Sequence, residues 1–339
     1  MRRRRKAARR ASLIHGCRSM SDTAGPLVSI GLPVYNGERY LVSCIESVLH
    51  QSFEDFRLFI SDDASTDGSA EICREFAARD PRVVYHRNAE NAGIAANFQT
   101  VFEASQSPYF KWIAQDDGIA PDFLSSCLEA LRARPDASLC YSAVDVIDAE
   151  GGVLVHDDAR LPGAGSDRPS VRFREIALGR FENGRVLFGL LRRDAIRRCL
   201  PFRCYSTADV AVLAEMALLG PFVYVPQPLI QFRAHPEQYS QKIYYDRSAV
   251  ARAWGSKRAT RFGLHFWIQV LNYARIVSRS PLGGAERLRC YGHLLAWFGM
   301  TRNQVGLAMD LIALIDPRLE TALRKAKYRI QGTSRTPAT

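Results

Sequence analysis

The chain has 339 residues, 47% hydrophobic and 24% charged. This is ordinary globular composition, with enough chain to bury the core of one large domain or two smaller ones. The formal charge of +11 divides into +8 over residues 1–19, −9 over 20–240 and +12 over 241–339, so the acidic body argues against a nucleic-acid partner. No apolar run reaches the roughly 18–20 residues that cross a bilayer.

Residues 1–25 read as a basic, disordered arm. No apolar core follows it, so it is not a secretory signal. It is expected to be a like-charge tail or sequence ahead of a start at Met20; the other reading is attraction to an anionic membrane surface. Residues 27–32 are apolar and short, a buried strand, and the turn chemistry of Pro33 to Gly37 closes it. Leu41, Cys44, Ile45, Val48 and Leu49 then fall on one helical stripe. A second strand is expected at 56–61, a helix at 69–79, a third strand at 82–85 and a helix opened by Asn91 and Gly93. The fourth strand, 109–114, precedes a helix that begins near Pro121, where proline suits the first turn. The fifth strand covers 138–144.

From 151 to 179 the pattern weakens, and an irregular excursion, possible ground for substrate contacts, is expected. A strand is expected at 185–191 and a helix at 207–219. Short strands at 222–225 and 229–232 flank Pro226 and Pro228. After Ser240 the chain turns helical, with Phe266, Val270, Leu271, Ala274 and Val277 on one stripe. Strand and helix alternate about every 25 residues, which predicts a mainly parallel, Rossmann-like sheet with helices on both faces. Ligands of such sheets sit beyond the strand carboxyl ends, at a topological switch point. The eight cysteines form no C-x-x-C pair and no zinc spacing. Cys44 and Cys140 read as core thiols, which favours a reducing cytoplasm.

The most informative stretch is YFKWIAQDDG at 109–118. Its strand ends in two adjacent carboxylates that would be costly if buried without partners. Asp116 and Asp117 are either a solvated turn or helix cap, or oxygen ligands for a hard divalent cation. Asp62 and Asp63 form a second pair, one of which could accept a hydrogen bond from a base. Tyr35 is either a core residue or a ring on which a planar base packs. Asp209 stands at the start of a helix, where an acid is favoured in any case, or serves as a general base. Arg233 and His235 follow the last strand of the body. A lone histidine is more often structural than a ligand, unless a metal and a diphosphate lie nearby. No P-loop, no G-x-G-x-x-G after the first strand and no G-x-S-x-G elbow occurs, which argues against a P-loop NTPase, a dinucleotide oxidoreductase and a serine hydrolase of that type.

The segments VSIGLPVYNGERYL at 28–41, SVLHQS at 47–52, ISDDASTDGS at 60–69, NAG at 91–93 and AQDD at 114–117 resemble the family 2 glycosyltransferases over roughly residues 27–240. The resemblance implies a GT-A fold at 26–240, with 241–339 as a basic helical C-terminal region. It implies transfer of a sugar, with inversion, from a nucleotide-diphosphate donor (UDP- or dTDP-) to a glycan or lipid-linked acceptor. It further implies Mg²⁺ or Mn²⁺. Pro33, Tyr35, Glu38, Asp63, Asn91, Asp116 and Arg233 become the donor-binding set, Asp116, Asp117 and His235 the metal set, and Asp209 the general base. The family pattern is commonly D-x-D-D, and here Ala114 stands in the first place, which leaves open which acid holds the metal. A cytoplasmic enzyme, peripheral at the inner face of the plasma membrane, is the expected setting. A metal-dependent nucleotidyltransferase and a catalytically inactive binding module are the competing expectations.

Overall fold

The structure, a computed structural model, describes residues 25–179, 181–202, 208–236 and 264–316, together with 319 and 323. The basic arm to residue 24 and the stretch 237–263 lie outside the described residues.

Nine strands form one sheet in the order β3-β2-β1-β4-β8-β6-β9-β5, with β7 paired to β6. The strands are β1 (Val28–Val34), β2 (Phe56–Asp62), β3 (Val83–Arg87), β4 (Tyr109–Trp112), β5 (Gly118–Ile119), β6 (Leu139–Ile147), β7 (Val153–Asp157), β8 (Leu190–Arg192) and β9 (Phe222–Arg233). The β1–β2, β2–β3, β1–β4 and β6–β9 pairs are parallel, and β8 runs antiparallel between β4 and β6. β1 is buried along its whole length. It therefore reads as a continuous apolar run, as a strand covered on both faces must.

The helices of the body are α1 (Glu38–Leu49), α2 (Ser69–Arg79), α3 (Ile94–Ala104), α4 (Phe123–Ala133), α5 (Pro169–Ala177), α6 (Arg193–Cys199) and α7 (Ala208–Leu219). α1 buries Tyr40, Leu41, Cys44, Ile45 and Val48, the stripe its spacing foretells. Two apolar clusters lie on the two faces of the sheet: one holds Ile30, Leu32, Leu41, Phe123 and Leu128, the other Phe110, Trp112, Phe173 and Leu213.

The second cluster also takes Tyr273, Val277, Trp297 and Leu307. These come from α8 (His265–Arg279), α9 (Gly284–Gly299) and α10 (Thr301–Ile315). The described C-terminal helices thus complete the core of the body. At the sequence level they could be read as a separate region, because helical periodicity shows an apolar stripe but not what covers it.

Three expectations change. Residues 151–179 are not irregular throughout: β7 folds back on β6, and α5 starts with Pro169 in its first turn. The strand expected at 185–191 is a 3-10 helix, Phe181–Phe188, and only Leu190–Arg192 pairs in the sheet. The apolar spacing there suits either element, and packing decided it. The two short strands at 222–232 are one, because Pro226 and Gln227 bulge out of the ladder between Val225 and Pro228; prolines are tolerated where no ladder N–H is needed.

Candidate active site

The chain runs β1, β2, β3 toward one edge and returns to place β4 on the other side of β1. That reversal is the switch point where open sheets bind ligands. The loop after β1 carries Tyr35 and the loop after β4 carries Gln115, Asp116 and Asp117. Gln115 joins them: its Oε1 accepts the Tyr35 N–H at 2.8 Å, and its Nε2 donates to the Tyr35 carbonyl at 3.1 Å. A Cβ at Gly37 would lie 2.6 Å from this side chain, so a larger residue there would displace the Gln115 amide from Tyr35. The Tyr35 ring is 47% exposed and is not a core residue, while Pro33 is buried within β1.

β5 turns the loop after β4 back against β9, with Gly118 opposite Gln231. This places the two aspartates beside the end of β9. His235 Nε2 and Asp116 Oδ2 are 3.0 Å apart. Asp117 faces elsewhere: its Oδ1 accepts the Arg233 backbone N–H at 3.0 Å. Burial holds the Asp117 carboxyl well above the usual carboxylate range, and the neighbouring Asp116 charge adds to the rise.

The Arg233 guanidinium is buried. It donates to the carbonyls of Asp116, Asp148 and Ala149 at 2.9–3.0 Å. All three partners are backbone, so Arg233 clamps the Asp116 loop to the β6–β7 turn. Tyr40 of α1 supports both basic residues, with the Arg233 guanidinium 4.7 Å from its ring centroid and the His235 ring 5.0 Å away. The His235 Nδ1 and Tyr40 hydroxyl atoms are buried without hydrogen-bond partners among the described residues.

Other expected residues serve the loops. Asp63 is buried, and its two oxygens accept hydrogen bonds from Asn88 Nδ2, Ala92 N and Gly93 N at 2.7–2.9 Å. It thereby fixes the turn before α3, where Gly93 has a φ of +88° that favours glycine. Asn91 Oδ1 also accepts the Gly93 N–H. Glu38 Oε2 accepts the Gly68 N–H at 2.6 Å, tying the start of α1 to the loop after β2. Asp62 receives Ser65 N, the Tyr85 hydroxyl and Arg87.

Asp209 lies in the first turn of α7. Its Oδ1 is buried with no hydrogen-bond partner among the described residues. Burial pushes its carboxyl up to about 6, against the lowering effect of backbone N–H groups. Its Oδ2 lies where a Cβ on Gly184 would come within 2.4 Å, so any larger residue there would push the Asp209 carboxylate aside. The next residue, Arg185, has its guanidinium 5.2 Å from the Phe232 ring centroid and 3.7 Å from Asp157 Oδ2. The 3-10 helix therefore links Asp209, beside Gly184, to the end of β9, beside Arg185.

Sequence reading missed Gln115, Tyr40, Gly184 and Lys111. Lys111 of β4 is 1% exposed; its ammonium donates to the Phe188 carbonyl and sits 4.1 Å from the Phe123 ring centroid. Burial pushes it down to about 7. Its sequence signal was a lysine inside an otherwise apolar strand.

The family model described as glycosyl transferase family 2 matches residues 29–199, half of the chain, and the chain belongs to that family. It is 35% identical to chondroitin synthase of Escherichia coli over 129 residues, which are 38% of this chain and 19% of that protein. It is 34% identical to glycosyltransferase GlyA of Streptococcus pneumoniae over 99 residues, 29% of this chain and 14% of that one. The matched stretches thus span well under two thirds of these relatives. Among solved structures, S. aureus TarS 1-349 in complex with UDP-GlcNAc superposes with a TM-score of 0.60 at 14% identity, covering 88% of this chain and 87% of that one. That likeness establishes the GT-A type of fold.

Proposed function

We propose that the chain transfers a sugar from a nucleoside-diphosphate donor to a hydroxyl acceptor, with inversion at the anomeric carbon. The observation that carries this reading is the Asp116–His235 pair, 3.0 Å apart at the switch point, in the same group of loops as the exposed Tyr35 ring. Two ligands bound at about 2.1 Å on adjacent corners of an octahedral ion are also ~3 Å apart. Among the described residues no group of three or more His, Cys, Asp or Glu side chains could hold a metal. A pair suits Mg²⁺ or Mn²⁺, because such ions take one or two protein ligands and leave the remaining places to phosphates and water. Asp116 and His235 would hold the ion, and Asp117 supports the loop from behind. The ion's contribution when bound is to neutralise charge that develops on the leaving diphosphate.

The protein side of the reaction follows from the residues. Tyr35 offers a ring to the base of the donor, with its backbone held by Gln115. Pro33 and Asp63 shape the walls on which the nucleotide rests; Glu38 and Asn91 hold the loops that frame it. Arg233 fixes the Asp116 loop and places positive charge near the diphosphate. Asp209 removes the acceptor proton; its pKa, raised to about 6, makes it a stronger base than an ordinary carboxylate and still lies below neutral pH, so it is mostly ionised there. A neighbour of the same fold was solved with UDP-GlcNAc, which supports a uridine donor; dTDP-sugars are the other candidates. We place residues 26–240 as the catalytic unit. The acceptor we propose is a polysaccharide or a lipid-linked glycan, used by a cytoplasmic enzyme at the inner face of the plasma membrane.

The test is donor-product analysis with a panel of nucleotide sugars. Release of free nucleoside diphosphate, dependent on Mg²⁺ or Mn²⁺ and on Asp116, is the expected result. Release of pyrophosphate would indicate nucleotidyl transfer instead, and no metal-dependent nucleotide binding in calorimetry would indicate an inactive module.

A further inference from the structure

α10 has one face committed to the protein and one with no partner among the described residues. Asn303, Gly306, Leu307 and Asp310 point inward. A Cβ on Gly306 would lie 2.4 Å from the Phe266 ring, so α8 and α10 approach as closely as glycine permits. The Asp310 carboxylate accepts the backbone N–H of Phe266 at 2.6 Å, in the first turn of α8. These two contacts fix the rotation of α10 about its axis.

With the inner face fixed, the outer face is decided. Val305, Ala308, Leu311, Ile312 and Ile315 fall within roughly a third of the circumference at ~100° per residue. Leu311 is 48% exposed and Ile315 is 87% exposed. Between Arg302 and Asp316 the only ionisable residue is Asp310, and it is fully buried. The outer face of α10, where Thr301 and Gln304 are the polar residues, therefore carries no charge. Leu319 and Leu323, further along the chain, are exposed as well.

The surrounding sequence indicates what covers this face. Residues 241–339 carry 17 basic and 5 acidic residues, and Arg318, Arg324, Lys325, Lys327 and Arg329 follow α10 directly. An apolar helical face flanked by cations is the pattern of a helix that lies in the headgroup layer of an anionic membrane. No described helix is long and apolar enough to cross a membrane, which fits a helix that rests on the surface.

We infer that the outer face of α10 is a membrane-docking surface, seating Val305, Leu311, Ile312 and Ile315 in an anionic bilayer, to which the basic C-terminal sequence is complementary in charge. The inference rests on the peripheral setting proposed above and assigns it a surface. It brings the enzyme to the plane where a lipid-linked acceptor lies.

The test is flotation of the full-length protein with phosphatidylglycerol vesicles and with phosphatidylcholine vesicles, across a salt series. The wild type is expected to float with the anionic vesicles and to dissociate as salt rises, because the attraction is screened within about 8 Å at physiological ionic strength. The exposed-face variant L311E/I315E is expected to bind at least tenfold more weakly, with an unchanged circular-dichroism melt and unchanged release of nucleoside diphosphate in detergent-free buffer. Equal flotation of wild type and variant would overturn the inference, as would no flotation of the wild type. Light scattering that shows a wild-type dimer converted to a monomer by L311E/I315E would assign the face to a second copy and also overturn it. Flotation does not depend on turnover, so its failure is distinguishable from failure of the proposed activity.

Discussion

Replacing Asp209 with asparagine separates catalysis from stability. The carboxyl is raised by burial from 3.8 to about 6, and every tenfold gain in proton affinity corresponds to ~1.4 kcal/mol between the two protonation states. Below pH 3.8 the carboxyl is protonated in both the folded and the unfolded chain and imposes no pH-dependent cost. As pH rises through 3.8 to 6, the unfolded chain releases this proton while the folded chain retains it, so folding stability falls. Above pH 6 the loss levels off at roughly 3 kcal/mol. Asp209→Asn removes that loss. At pH 7.5 the variant should be more stable than wild type by up to about 3 kcal/mol in urea melts, and near pH 4 the difference should shrink toward zero. Activity should move the opposite way. Loss of a general base costs about 10²–10⁴ in turnover, while nucleotide binding by calorimetry should remain. The wild-type rate should itself fall about tenfold per pH unit below 6, as the ionised fraction drops. A variant that still transfers sugar at the wild-type rate would refute the base assignment. A stability difference equal at pH 4 and pH 7.5 would refute the burial argument.

Other predictions follow from the same geometry. Gly184→Ala should displace Asp209, because the added Cβ would come 2.4 Å from its Oδ2; turnover should fall at least tenfold while calorimetric affinity for the nucleoside diphosphate stays. Asp116→Asn and His235→Ala should each weaken Mn²⁺-dependent nucleotide binding by tenfold or more, and chelation of the metal should make the three proteins indistinguishable in that assay. Gln115→Ala frees the Tyr35 backbone from both of its hydrogen bonds and should raise KM for the donor several-fold with a smaller effect on kcat. Lys111, pushed down to about 7 by burial, carries its full charge-burial cost below pH 7, and that cost is relieved as pH rises toward the unfolded value of 10.5. Wild-type stability should therefore gain relative to Lys111→Met between pH 7 and pH 9, by up to ~1.4 kcal/mol for each pH unit; parallel pH profiles of the two proteins in urea melts would contradict this.

The sequence by itself determined the alternation of strand and helix, and with it a mainly parallel sheet. Apolar runs such as 28–34 and the α1 stripe can satisfy their burial in few other ways. It also located the polar clusters that follow β1, β2 and β4, because turn residues and carboxylates cannot continue a buried strand. What it left undecided was every relation between distant segments. Asp116 and Asp117 are neighbours of one chemical type, and only the return of β5 against β9 turned one toward His235 and the other toward the Arg233 N–H. Residues 185–191 and 151–179 fold otherwise than their spacing suggests, because short apolar spacing suits more than one element until its neighbours are known. Asp209 was visible as an acid at the start of a helix, yet its raised pKa comes from burial behind Gly184, a glycine with no local signal. The apolar residues of α10 were legible as a list. Which of them face outward was settled only by the Gly306–Phe266 approach and the buried Asp310, because periodicity names a stripe and tertiary packing decides which side of it is covered.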